Sequence, residues 1–311
     1  MDVSSGLVIL IVQEKGDPMP RKMLAFAALA SLSVSATAAA PGNAAIVDPP
    51  RDARFPAHNQ QLLIPSHGVG LNALLFVASG RGPHPTVILM HGLPGNERNL
   101  DLAQAIRRSG WDVLTFTYRG AWGSPGDFSI TNAMEDATAA LNFARSSGGA
   151  RFGIDQHHIV LGGHSMGGAA ATMTATGSTG LDGLILIDAW NIGGGGTSKG
   201  AKTRDELTKG FDDFGNSLHG ATPASVADDA VTNAAKWDLV QAARRLRGLR
   251  VLTINARYGI GARNLPVTAA LQSAGARVTA IQMDTDHSFS DHRIALSTAV
   301  VSWLRSLSVR R

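Results

Sequence analysis

The chain of 311 residues contains no cysteine, which excludes disulfide staples, a thiolate nucleophile and any cysteine-ligated metal. It also lacks H-E-x-x-H. Its paired histidines, His157-His158 and His287 with His292, come without a comparable ligand set, so no metal is expected. No block of like charge stands out: 28 Lys and Arg against 24 Asp and Glu leave a net charge of +4. The densest basic stretch, Arg244, Arg245, Arg247 and Arg250, reads as a solvated helix face and its exit, not as a nucleic-acid or membrane surface. No internal repeat is visible.

Long apolar runs are missing as well. Met23–Ala36 (MLAFAALASLSVSA) is too short and too rich in small residues for a stable membrane span. Met19-Pro20-Arg21-Lys22 before it is a positive n-region, and Ala36-Thr37-Ala38 after it suits cleavage. That is the layout of a secretory signal peptide near residues 19–38, with the periplasm or the exterior as destination. Residues 1–18 precede a better start at Met19 and suggest a start codon assigned too early. The expected organisation is an N-terminal extension and leader over residues 1–40, then one folded domain over 41–311.

What is present is a rhythm. After the Pro-rich lead-in at 41–56, Leu62–Ile64 and Leu71–Ala78 read as an opening β-hairpin. Apolar runs at Thr86–Met90, Val113–Tyr118, His158–Gly162, Leu184–Ile187, Val251–Ile254 and Val278–Ile281 read as strands. Helices are expected over Asn99–Ser109, Asn132–Arg145, Met166–Thr176, Leu265–Ala274 and Ile294–Leu307. Strands alternating with helices imply βαβ units, hence an α/β class with a mostly parallel, doubly wound sheet. Residues 191–236 break the rhythm, and a connection that long is expected to be a lid or a flexible insertion.

Two stretches fit G-x-S-x-G, and 35 glycines make the pattern weak by itself. Ser165, in Gly163-His164-Ser165-Met166-Gly167, follows an apolar strand and precedes a small-residue helix. A nucleophile needs that setting: a sharp turn, glycines that clear space on both sides, and a helix N-terminus favouring developing negative charge. Ser198 lies after a glycine run with charged residues beyond it, and reads as a loop serine.

Four motifs fall in one order: His91-Gly92-Leu93-Pro94-Gly95 after a strand, Tyr118-Arg119-Gly120 after the next, GHSMGG at 163–168, and Asp286-His287-Ser288-Phe289 near the end. Over roughly residues 60–307 the chain resembles the α/β-hydrolase superfamily, in particular its esterases and prolyl-oligopeptidase-like branch. The resemblance implies an oxyanion hole formed by the amides of Leu93 and Met166. It casts His91 as a structural hydrogen-bonder and Arg119 as an ion-pair residue with Asp136 as partner. The general base belongs after the last strand, where His287 is preferred to His292. Trp122, Met166, Trp190 and Phe289 are candidates for an apolar acyl pocket or for core.

The acid departs from the pattern. Relatives carry an Asp after the strand at Val251–Ile254, yet residues 255–266 (NARYGIGARNLP) hold no Asp or Glu. With the chain order Ser, acid, His, Asp188 closes the strand Leu184–Ile187 and is the preferred acid. Asp182 sits at the wrong end of that strand, and Asp286 adjoins His287 too closely to reach its ring. Asn264 and the acids Asp205, Asp212 and Asp213 stand behind Asp188 as candidates for the role. The leading expectation is a secreted serine hydrolase that cleaves small-molecule carboxylic esters through an acyl-enzyme on Ser165, without cofactor or metal. A serine peptidase and a non-catalytic binding protein on a hydrolase fold are the rivals. The chain is too short to carry the propeller that gates the larger peptidases. Oligomeric state stays open.

Overall fold

The computed structural model describes residues 43–194, 203–211, 214 and 216–308. The leader expected at 19–38 and Ser198 lie outside the described residues. The chain enters through β1 (His58–Ser66) and β2 (Val69–Val77), paired antiparallel with Ser66 opposite Val69. The two residues between them, His67 and Gly68, both have positive φ (45° and 85°). That is the backbone a two-residue hairpin needs for its twist to match the strands. Leu62, Ile64 and Ser66 point inward while Leu63 faces out, the alternation of an edge strand.

Then follow β3 (His84–Met90), α1 (Leu100–Arg108), β4 (Asp112–Phe116), α2 (Ile130–Ala144) and the short α3 (Ser147–Ala150). β5 (Ile154–His164), α4 (Met166–Thr176), β6 (Gly183–Ile187), α5 (Arg204–Gly210), α6 (Pro223–Thr232) and α7 (Leu239–Ala243) come next. β7 (Arg250–Ala256), α8 (Leu265–Ser273), β8 (Arg277–Met283) and α9 (Arg293–Ser308) complete the chain. The strands form one sheet in the order β1-β2-β4-β3-β5-β6-β7-β8, antiparallel at β1, β2 and β4 and parallel from β4 through β8. The central strands are apolar on both faces because helices cover both. Val87, Leu89, Val113, Ile185 and Ile254 pack with Leu102 and Ile106 of α1 and with Leu296, Val300 and Leu304 of α9. Ile88, Leu114, Leu161 and Leu186 face α2 and α4 on the other side.

The strands and long helices lie where the hydrophobic pattern places them, with ends shifted by a few residues. The shortest helix, α3, is too brief to show a 3.6-residue period and leaves no signal in the sequence. The helix expected under the arginines ends sooner: α7 stops at Ala243, Arg244, Arg245 and Arg247 are exposed on its cap and the turns beyond, and Arg250 opens β7.

The described parts of the segment 191–236 carry helices and fixed contacts. Thr203 with Glu206 and Thr222 with Ser225 form capping boxes that start α5 and α6. Val226, Ala227 and Ala230 of α6 are buried, and its Asp229 accepts from the amide and hydroxyl of Thr131 at 2.8 and 2.7 Å. Leu218 bridges Ala121 antiparallel, with Trp122 N donating to Ser217 O and Phe128 N to His219 O. The described parts of this insertion are therefore anchored to the loop after β4 and to the start of α2. Asp212 and Asp213 lie outside the described residues.

Asp136 ties three elements together. Its fully buried carboxylate accepts from Ser66 Oγ at the end of β1 (2.6 Å), and from Arg119 N and Nε after β4 (2.7 Å each). Arg119 also reaches Glu135 Oε2 and Asn132 O on α2. Removing one partner from a buried pair strands the other charge. Asp136→Ala should lower unfolding free energy by about 3–5 kcal/mol. Glu135→Ala, at a 43% exposed side chain, should lower it by less than about 1 kcal/mol. Chemical denaturation of the two variants checks this.

Candidate active site

Ser165 sits between β5 and α4 with φ 54° and ψ −121°, a conformation that costs of order 1–3 kcal/mol outside glycine. Its surroundings hold it there. Its amide donates to Ile187 O (3.0 Å), and its carbonyl accepts from Gly168 N (3.0 Å) and Trp190 N (2.9 Å). The flanking glycines are needed for space. A Cβ on Gly163 would lie 2.2 Å from the carbonyl carbon of Gly167, and one on Gly167 would lie 2.2 Å from Met90 O. Helix α4 therefore presses directly on the ends of β5 and β3, and its positive end lies at the serine. Met166 opens that helix, so its amide has no helical acceptor. Leu93 follows β3 on the neighbouring strand end, just past Gly92, where an added Cβ would stand 3.0 Å from Ser165 Cβ.

Asp188, the residue after β6, is fully buried, and its amide donates to Ile254 O at 2.7 Å. Its carboxylate accepts three hydrogen bonds: Ala256 N to Oδ1 (3.1 Å), Ile260 N to Oδ2 (3.0 Å), and the His287 Nδ1–H to Oδ2 (2.6 Å). A carboxylate buried this deeply is tolerated only when its lone pairs are occupied. The stretch without an acid thus serves the acid by supplying two amides. Gly259 lies in that stretch because a side chain there would stand 2.3 Å from Asp188 Oδ2 and 3.0 Å from His287 Cα.

His287 lies in the loop after β8, its ring about one-third exposed. The structure brings His287 and Asp188 together, but no hydrogen bond joins Ser165 to His287 among the described residues. Ser165 is tied to the pair through the backbone. It bonds Ile187, the residue before Asp188, while His164, the residue before Ser165, reaches His287 O through Nε2 at 2.8 Å. The His164 and His287 rings lie 4.5 Å apart. The sequence offers no signal for this contact beyond a histidine beside the serine.

The remaining candidate acids lie elsewhere. Asp286 turns to Ser290, accepting from its amide (2.9 Å) and hydroxyl (2.7 Å), which holds its carboxyl below the usual range. Asp182 pairs with His158 at 2.9 Å, at the far end of β6. Asp205 is exposed beside Arg204, and the buried side chain of Asn264 has no partner. His292 pairs with Asp291 and stands just before α9. Among the described residues no group of three or more metal-ligating side chains occurs.

Of the four residues expected in an acyl pocket or in the core, two lie in the core. Met166 and Phe289 are fully buried and belong to the two cores flanking the sheet. Trp190 is half-buried and meets Phe211 edge-on at 6.0 Å, whereas Trp122 is exposed and donates Nε1–H to Pro94 O.

His91 is structural in its contacts: its Nδ1–H donates to Gly92 O at 2.7 Å, and Tyr118 OH donates to its carbonyl. Burial pushes its ring down from 6.5 to about 4, and His164 likewise. Below pH 6.5 the unfolded chain takes a proton that the folded ring refuses until about pH 4. Stability is therefore fully present above that window and falls as the pH drops through it. Each ring should remove about 3 kcal/mol by pH 4. Replacing His91 with asparagine, which keeps a donor but does not titrate, should flatten the acid limb of the stability curve, read by denaturation from about pH 7 to 4.

The model of the alpha/beta hydrolase family matches residues 87–300. An uncharacterized protein of Mycobacterium tuberculosis is 30% identical over 118 residues, 38% of this chain and 41% of that protein, so the match spans under half of the relative's length. Among solved structures, the hyperthermophilic esterase of the archaeon Pyrobaculum calidifontis superposes with a TM-score of 0.62 at 20% identity, covering 86% of this chain and 90% of its own. A thermostable carboxylesterase cloned from a metagenomic library superposes equally well (0.62, 19% identity, 86% and 92% coverage). With the strand order, the serine turn and a family match across most of the folded region, this chain belongs to the alpha/beta hydrolase family.

Proposed function

We propose that this protein is a serine hydrolase that cleaves carboxylic esters, with Ser165 as nucleophile, His287 as general base and Asp188 as the acid that orients it. The observation that supports this reading is the 2.6 Å hydrogen bond between His287 Nδ1 and buried Asp188, beside a serine held in a strained turn at a helix N-terminus. Asp188 fixes the tautomer with the proton on Nδ1, leaving Nε2 free to accept one. Ser165 Oγ attacks the ester carbonyl carbon as its proton passes to His287 Nε2, and the oxyanion is met by the amides of Leu93 and Met166. The C–O bond to the alcohol then breaks, and His287 returns the proton to the departing alkoxide. Water attacks the acyl-serine with the same base, releasing the carboxylic acid and regenerating Ser165. No step requires a metal or cofactor. Export to the periplasm or exterior is part of the proposal and rests on residues 19–38 alone.

The experiment that tests the reading is labelling with a fluorophosphonate probe together with turnover of a chromogenic ester panel. Wild-type protein should be labelled and Ser165→Ala should not. Labelling that persists in Ser165→Ala but vanishes in Ser198→Ala would move the nucleophile. Short-chain esters should turn over at least about tenfold faster than matched aminoacyl amides, a barrier difference of about 1.4 kcal/mol. The reverse preference would favour a peptidase.

The acid is tested separately. Asp188→Asn keeps the volume but permits the wrong imidazole tautomer, and should lower kcat by at least about two orders of magnitude near neutral pH. Asp286→Asn, whose carboxylate faces Ser290, should stay within about tenfold of wild type. Near-wild-type turnover of folded Asp188→Asn, checked by circular dichroism, would remove that residue from the triad.

A further inference from the structure

A cavity of about 580 Å³ opens on the sheet face carrying β1, β2 and β4, beneath the loop that joins β3 to α1. That volume falls within the range of small-molecule sites, roughly 300–1,000 Å³. None of Ser165, Asp188 and His287 lines it. Its wall is mainly hydrocarbon, including Leu63, Leu74 and Leu100, and Leu63 is 61% exposed although it stands in a strand. Gln61, Asn72, Thr115 and Thr117 supply neutral polar edges.

The charge in this cavity is unbalanced. No aspartate or glutamate lines it, and the one permanently charged group is Arg98. Among the described residues, no carboxylate lies within ion-pair distance of Arg98. Its guanidinium lies over the Trp122 ring, 5.4 Å from the centroid, and its field also helps keep the His91 ring neutral. Trp122 is itself unusual. A bulky aromatic with φ 48° is held in a region that disfavours it, the residue 39% exposed and its N–H fixed on Pro94 O at 2.8 Å. Strain and exposure of this kind concentrate where a side chain is presented to a ligand. The loop is pinned so that a cation stacked on an aromatic face overlooks an apolar floor.

We propose that this cavity is a binding site for an amphipathic monocarboxylate of the medium-chain fatty-acid type. Arg98 pairs with the carboxylate, and Trp122 with the leucines holds the hydrocarbon chain. A neutral ligand of the same shape gains the apolar contacts but leaves Arg98 unmatched, so the cation sets selectivity for acid over alcohol. The site is independent of the ester-hydrolase reading, because binding here involves none of the residues assigned to hydrolysis.

The test is isothermal titration of the full chain with sodium octanoate and with 1-octanol near neutral pH, where the carboxylate is ionised. Octanoate should bind one per chain, more tightly than octanol. Arg98→Gln should weaken octanoate at least about tenfold and leave octanol unchanged, while Arg98→Lys should retain most of the octanoate affinity. Leu74→Trp, which fills the floor, should abolish binding of both. Octanoate affinity unchanged in Arg98→Gln, or no binding up to about 10 mM, would overturn the proposal. Full binding in folded Leu74→Trp would also overturn it, because the fatty acid would then occupy another site, the serine pocket included. Should Leu74→Trp fail to fold, the Arg98 pair decides alone.

Discussion

A buried carboxylate with no water to solvate it has to be satisfied by the protein, and at Asp188 that requirement organises the strand ends of half the sheet. Its two oxygens collect donors from the end of β7, from the turn after it and from the loop after β8. Losing either amide would leave a lone pair unmatched in a low-dielectric interior, at roughly 1–3 kcal/mol. The turn at 256–260 must therefore come close, and only a glycine at 259 leaves room for it. His287 then has little choice of orientation.

The serine turn is under a second constraint, contact between α4 and the sheet. Gly163 and Gly167 bring backbone against backbone, and Gly168 brings α4 against Ala189, where a Cβ would be 2.5 Å away. This closeness lets Ser165 bond Ile187 and Trp190, so the strained conformation is over-determined by four backbone hydrogen bonds, with Ile187, Gly168, Ala169 and Trp190. His164 extends the linkage to the carbonyl of His287, keeping the three strand-end loops in one register. Rigid positioning of this kind suits chemistry whose transition-state charge must meet preorganised dipoles.

The antiparallel half of the sheet has another character. Asp136 and Arg119 lock α2 to the ends of β1 and β4, and residues 216–219 extend that region with backbone pairing. On the opposite face α1 leaves β1 and β2 partly uncovered, which is why leucines and Trp122 stand exposed around the Arg98 cavity. One sheet thus presents two different surfaces: tightly closed strand ends at Ser165, and an open apolar floor beside the hairpin.

The sequence by itself determined whatever rests on neighbours along the chain. Strand and helix order follows from hydrophobic periodicity, and helix α4 is legible to the residue because Gly163, Ser165 and Gly167 mark its start and Gly177 its end. The proposal of Ser165 as nucleophile rests on the run before it and the helix after it. Tertiary structure decided what joins distant positions. Asp188 and His287 are 99 residues apart, and His164 and His287 are 123 apart. Strand-end order narrows the acid to a short set, but only packing shows that Asp286 faces Ser290 and that Asp188 faces the ring. Met166 and Phe289 read as pocket or core with equal ease, since hydrophobicity states that a side chain avoids water and not which surface it finds. The anchoring of the helices in 191–236 is invisible in the sequence for a related reason. Their caps are local, but the contacts of Asp229 with Thr131 and of Leu218 with Ala121 reach back about a hundred residues, where no periodicity carries a signal.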